Sequence, residues 1–283
     1  MQKEFEKQMM IQKVLRKHGN MQVIDNLHGF VLDGRYKVRK ALSEGAFGKI
    51  YEGQDKKQKL QGIRKPVIIK FTKNHEMNDR EFDALTDIIR YTKTTFGCNE
   101  LFAETYTKGK VLINDKSLTD TKNKPKSFES EEAEVEDQIW SYIVQDKLGD
   151  TLENYLFEKD EPFSEKTVLQ TGIQLIDSFK MIHEAGYTFN DLKLDNVLIG
   201  DAPDLAKVRD SLHKIRIIDF GLVKKYMQPN GQHIVEQKEK LFQGNMIFAS
   251  KNAFNMKTQS RRDDLISLCY FLLYLVDGDL AFL

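Results

Sequence analysis

The hydrophobic period of this chain changes along its length, and that change limits the folds open to it. From Tyr36 onward apolar residues recur at a spacing near two, and YKVRKAL, KIYEGQ and PVIIKF read as strands parted by glycine-bearing or polar turns. MNDREFDALTDIIRY interrupts them with helical spacing, and KVLIN and WSYIVQ return to strand-like text. From about residue 150 helices dominate: TLENYLF, then SEKTVLQTGIQLIDSFKMIHEAG with a glycine stop. Two short strands, NVLI and KIRIID, bracket a polar connection. A strand-rich front half and a helix-rich back half, joined near Gln145 to Gly149, predict an α+β chain of two lobes.

Residues 1–28 show helix-like spacing (Phe5, Met9, Val14, Leu15) and read as an extension before the domain. Residues 29–146 form the first lobe, with an insert at 114–137 that turns from lysine-rich to acidic and has almost nothing to bury. Residues 147–283 form the second lobe. Lysine plus arginine equals aspartate plus glutamate at 43 each, so no bulk charge points to nucleic acid or to a membrane surface. Cys98 and Cys269 are too few for a disulfide framework, which fits a reducing, cytoplasmic or nuclear, compartment. The charged start MQKEFEKQMM has no signal-peptide core. The run LISLCYFLLYLV (265–276) is shorter than the roughly 20 residues a bilayer needs and reads as a buried core helix.

Alone, FNDLKLDN (189–196) reads equally well as a polar loop, since Asp and Asn are turn formers. The balance shifts with IIDFGLVKKY (217–226), where Asp219 ends a β-branched strand with a glycine behind it. A carboxylate at a strand mouth is a natural ligand for Mg²⁺, an oxygen-seeking ion that also takes substrate phosphates. Asn196 offers a neutral oxygen to a second ion, Asp191 a proton acceptor, and Lys193 a charge to steady a migrating phosphoryl group. Phosphoryl transfer needs such parts, because position and charge stabilise its transition state more than covalent catalysis does.

The front half adds ALSEGAFGKIYEG (41–53), a turn in which Gly45 and Gly48 flank Ala46-Phe47 and let backbone N–H groups approach phosphates. By itself it is any glycine-bearing hairpin. Lys70 in VIIKF is by itself a solvent-facing strand lysine, and Glu81 a solvated helix residue. As an ordered set with the two later motifs, they match the protein-kinase signature.

At that point the chain resembles the casein kinase I family of serine/threonine protein kinases. The resemblance runs from about Tyr36 onward and is carried by LGDTLENYL, FSEKTVLQ, IIDFGLVKKY and, most specifically, QSRRDDLISLCY (259–270). It implies the bilobal protein-kinase fold, a small antiparallel sheet lobe plus a helical lobe, with ATP and Mg²⁺ as cofactors and proteins as substrates. It makes Asp191 the catalytic base, Lys193 its phosphate-steadying partner, and Asn196 and Asp219 the metal ligands. It assigns nucleotide contacts to Ser43, Gly45, Ala46, Phe47 and Gly48, and an ion pair to Lys70 and Glu81. Gln145 becomes the gatekeeper, Asp146 to Leu148 the hinge that reads adenine, and Asp264 the buried aspartate that braces the catalytic loop. The family continues past the apolar helix with further helices. The resemblance therefore implies a partner chain over that helix, or else a fragment or a truncated paralogue of such a kinase.

The chain departs from the family at four further places. Ser43 replaces the first loop glycine, and the insert is longer than the family's. Its Ser127 and Ser130 read as solvated loop serines before they read as modification sites. Ile247 stands where the family has an arginine for the phosphate of a primed substrate, which argues against a primed preference. Phe189-Asn190 replaces the His-Arg pair before the catalytic aspartate. These changes leave open a second class, a nucleotide-binding scaffold without turnover. Asn190 cannot clamp a phosphate as arginine would, so phosphorylating the segment between Gly221 and Ser250 is expected to leave activity unchanged. Rates compared before and after phosphorylation of that segment check this, and a large gain contradicts it.

Overall fold

The computed structural model describes residues 2–19, 21–45, 48–60, 62–114, 135, 138–159, 163–201 and 214–278. Most of the insert at 114–137, with Ser127 and Ser130, lies outside them, as do Ala46 and Phe47. The chain divides into two compact units, Met1–Asn78 with Tyr106–Asp146, and Asp79–Thr105 with Lys147–Leu283.

The first unit is strand-rich, as its alternating text predicts. It holds α1 (Gln2–His18), β1 (Gln22–Ile24), β2 (Val31–Leu32), β3 (Tyr36–Gly45), β4 (Gly48–Leu60), β5 (Ile63–Thr72), β6 (Thr105–Ile113) and β7 (Ile139–Asp146). Among the described residues these strands make one sheet in the order β1-β6-β7-β5-β4-β3-β2. The pairings β2–β3, β3–β4, β4–β5 and β5–β7 are antiparallel. At the other edge of the sheet β1 lies parallel to β6. One face of the pleat closes over Val38, Val67, Ile69, Phe71 and Val144. The stretch read as an extension is part of this unit. β1 extends the sheet, and Val14 of α1 is fully buried against Leu112, Val135 and Ile139.

The turn between β2 and β3 is tied down by charge. Asp55 is fully buried and takes Nε and Nη2 of Arg35 at 3.0 and 2.6 Å. It also accepts the backbone N–H groups of Lys57 and Gln58 at 2.8 and 3.3 Å. Burial alone pushes this carboxyl up, but the guanidinium and the two N–H groups override it and hold it below the ordinary carboxylate value.

The second unit is helix-rich. It takes most of α2 (His75–Phe96), because Ala84, Leu85, Ile88 and Ile89 bury in its core. It continues with β8 (Leu148–Thr151), α3 (Leu152–Lys159), α4 (Glu165–Glu184), β9 (Tyr187–Thr188), β10 (Val197–Asp201), β11 (Ile215–Ile217), β12 (Lys224–Lys225), α5 (Lys251–Phe254) and α6 (Arg261–Asp277). Residues 79–105, read as part of the first lobe, thus cluster with this unit. Small sheets β11-β10-β8 and β12-β9 carry the loops. A chain of rings, Phe102, Phe220, Phe189 and Phe179, runs through the core with centroids 5.8, 5.3 and 6.1 Å apart. Phe189, at the position where the resemblance expects a histidine, is fully buried in this chain of rings. The apolar run in α6 is not buried all round as its text suggests. Leu268, Phe271 and Leu275 face the core, while Leu265, Leu273 and Val276 are exposed. No helix of the described residues is long and apolar enough to cross a membrane.

Replacing Asp55 by Asn leaves the Arg35 guanidinium without its carboxylate. The expected loss is about 2 kcal/mol, moderated by the partial exposure of Arg35. Urea unfolding of Asp55→Asn beside the parent measures it.

Candidate active site

The second unit assembles its polar cluster around one carboxylate. Asp264, in the first turn of α6, is almost fully buried. It accepts Nε2–H of His183 at 2.8 Å, the Phe189 N–H at 2.9 Å and the Asn190 N–H at 2.8 Å. Tyr226 hydroxyl in turn donates to the His183 carbonyl at 2.7 Å. These bonds fix the segment leaving β9 just before Asp191. Asn190 adopts a left-handed φ of 68°, a conformation that Asn tolerates better than most residues. Its side-chain amide donates to the Leu222 carbonyl at 2.9 Å, tying the segment that follows Asp219 to the loop. Its carbonyl lies so close to Gly244 that a Cβ there would come within 2.6 Å. Only glycine fits that approach.

Asp191 follows, buried, with Oδ2 accepting the Asn196 amide at 3.0 Å and facing Lys193 Nζ at 3.3 Å. The same amide donates to the Asp191 carbonyl at 2.9 Å. Burial pushes the Asp191 carboxyl up, Lys193 draws it down, and the nearby charge of Asp219 raises it again. The net direction is upward. Asp219 sits in a left-handed conformation, φ 63°, and its Oδ1 accepts the Gly221 N–H at 3.4 Å.

These groups fit a divalent cation chemically. Asp191 and Asp219 are close enough to repel, which a cation relieves. Asn196 spends its amide nitrogen on Asp191, and its Oδ1 accepts no hydrogen bond among the described residues. No cluster of three or more His, Cys, Asp or Glu able to hold a metal occurs among those residues. Oxygens from phosphate and water would therefore have to complete any Mg²⁺ shell, which is how that ion is commonly held.

The other candidates are spread over both units. In the first, Ser43 is exposed on β3, and Gly45 lies opposite Gly48 across the turn. At Gly48, φ 139°, an added Cβ would fall 2.0 Å from the Phe71 carbonyl oxygen, so β4 and β5 need the glycine. Lys70 is buried on β5 between Ile50 and Ile143 of the flanking strands. Gln145 and Asp146 end β7, and the Asp146 carboxylate meets Lys65 Nζ at 2.7 Å and the Tyr106 hydroxyl. In the second unit, Glu81 is buried on α2, and Leu148 packs on β8 with Ala103 and Leu198. Thus Asp191, Lys193 and Asn196 are in direct contact, with Asp219 close enough to act on Asp191. Ala46 and Phe47 lie outside the described residues.

His183 and Glu153 were not singled out from the sequence. Each belongs to a helix whose spacing marks only its buried face, so neither carried a signal. Glu153, on α3, shares a hydrogen bond with Asp195, one residue before Asn196. That bond, then burial and the Asp195 charge, pushes the Glu153 carboxyl from 4.5 to about 7, against the pull of Lys193. The folded chain thus holds a proton that the unfolded chain gives up. The stability it adds is full below pH 4.5 and is lost as pH rises through about 7. Glu153→Gln is expected to flatten the pH dependence of stability across that window. Urea unfolding of parent and variant at about pH 5 and about pH 8 checks it.

Comparison with known proteins bears on this cluster. The protein kinase domain family model matches residues 122–283, more than half of the chain, including Asp191, Asn196, Asp219 and Asp264. The chain is 30% identical over 248 residues to casein kinase I homolog 2 of Saccharomyces cerevisiae, covering 87% of this chain and 38% of that protein. It is 30% identical over 251 residues to casein kinase I homolog 1 of Schizosaccharomyces pombe, covering 88% of this chain and 47% of that protein. It therefore spans less than half the length of these relatives. The chain belongs to the protein kinase family, and the relatives it resembles are casein kinase I homologs.

Proposed function

We propose that the chain transfers the γ-phosphate of MgATP to serine or threonine hydroxyls of proteins. The contact of Asp191 with Lys193 and Asn196, beside the charge of Asp219, carries this reading. Asp191 Oδ2 is engaged by those partners, which leaves Oδ1 to take the hydroxyl proton. Burial raises the basicity of this carboxylate, as suits a proton acceptor. As the substrate O–H bond breaks, its oxygen bonds to the γ-phosphorus, and the bond from that phosphorus to the bridging oxygen of ADP opens. Lys193 offsets charge on the phosphoryl group in transit. Asn196 Oδ1 and the Asp219 carboxylate would hold Mg²⁺. Bound there, the ion would neutralise phosphate charge. As the family resemblance implies, Lys70 would meet the α- and β-phosphates, and the turn from Ser43 to Gly48 would cover them. Gln145 and the backbone of Asp146 to Leu148 would receive adenine.

Asp191→Asn keeps the shape of the loop and removes the proton acceptor. Transfer from γ-labelled ATP to a generic acidic protein substrate is expected to fall by about 10²- to 10⁴-fold, while Mg²⁺-dependent ATP binding, read by calorimetry, persists. Binding without labelling by the parent overturns catalysis in favour of a nucleotide-binding scaffold.

A further inference from the structure

The segment after the catalytic loop has an unusual charge pattern. Between Lys240 and Lys251 run ten residues, LFQGNMIFAS, without a charged side chain. Gly244 packs against the Asn190 carbonyl, one residue before Asp191, which fixes this segment beside the proposed proton acceptor. Its other anchors are equally definite. The Gln259 amide donates to the Gln243 carbonyl at 3.0 Å. Phe248 is buried against Phe271 and Tyr274, with ring centroids 5.4 and 5.6 Å away. Asn245 Oδ1 closes the turn between them by accepting the N–H groups of Ile247 and Phe248 at 2.8 and 3.2 Å.

What the anchored turn presents to solvent is apolar. Met246 is 65% and Ile247 48% exposed. They follow Gly244 by two and three residues, so their Cα atoms lie within roughly 7 and 11 Å of it. Just before the turn, Leu241 is 74% exposed. Several cations of the neighbouring segments are already paired. Lys224 meets Glu239 at 2.9 Å, and Lys257 and Arg262 meet Glu236 at 2.8 and 3.2 Å. An anion next to the acceptor hydroxyl would find no positive side chain on the turn itself. Lys240 and Lys251 stand only at its two ends.

We propose that Met246 and Ile247 form the specificity surface for the substrate chain, and that it takes an unphosphorylated peptide with an aliphatic residue beside the acceptor hydroxyl. This rests on the kinase reading and adds the substrate class. Covering the two side chains removes apolar surface from water at the place where the acceptor must sit. An acidic or phosphorylated neighbour would lose hydration there and gain no charged partner from the turn itself.

The test uses the full chain and serine peptides that differ only at the two positions on either side of the acceptor. Leu or Ile, Ala, Glu and phosphoserine are compared there. At one of those positions Leu or Ile is expected to raise kcat/KM about tenfold over Ala, with Glu and phosphoserine no better than Ala. Ile247→Arg and Met246→Asp are each expected to erase the ratio of aliphatic to alanine rates. That ratio is internal to each preparation, and the parent's own peptide series stands if a variant fails to fold. Equal rates across the series, or a preference for Glu or phosphoserine, overturn the assignment while leaving the kinase reading intact. If neither the peptides nor a generic protein substrate is labelled, the kinase reading falls and takes this one with it.

Discussion

The Asp264 carboxylate holds the order of the candidate site. Two backbone N–H groups and one imidazole N–H converge on it from residues 183–190, distant from it in sequence, and all three donors are buried with it. A buried carboxylate with satisfied donors is rigid, because each donor would lose its partner if the group moved. The loop carrying Asp191 is therefore fixed at its entry by α6, a helix seated in the core through Leu268, Phe271 and Leu275. Backbone atoms make two of those bonds, so they do not depend on which side chains stand at positions 189 and 190.

Much of this was legible in the sequence, and the reason is local. Period-two text at Val67, Ile69 and Phe71 marks a strand with one buried face, and the spacing in 164–186 marks a helix whatever surrounds it. Glycines that must approach another backbone, such as Gly48, also show in the pattern of their neighbours. What the sequence hid is long-range. Nothing in Gln22–Ile24 says that it will lie parallel to Val111–Ile113, and a helical period in 2–18 does not name the surface that buries Val14. The exposure of Leu265, Leu273 and Val276 was hidden by their own hydrophobicity.

The site itself was legible by residue type more than by contact. Asp191, Lys193 and Asn196 stand close enough in sequence that their meeting follows from one short loop. Asp195 instead finds Glu153 from the start of α3, more than forty residues earlier, and no motif announces that pair. Asn190 was read as a lost function, since it lacks the charge of arginine. The structure gives it a different use, a neutral bond from the loop to Leu222.

That neutral bond has its own consequence. A strap made from an amide and a carbonyl is indifferent to ionic strength, because there is no charge for counterions to screen. It also needs no modifying enzyme to create it and offers a phosphatase nothing to remove. The alignment of the stretch after Asp219 with the loop before Asp191 is thus written into the chain at synthesis. A switch that works by adding or removing charge finds no charged group in that bond to act on.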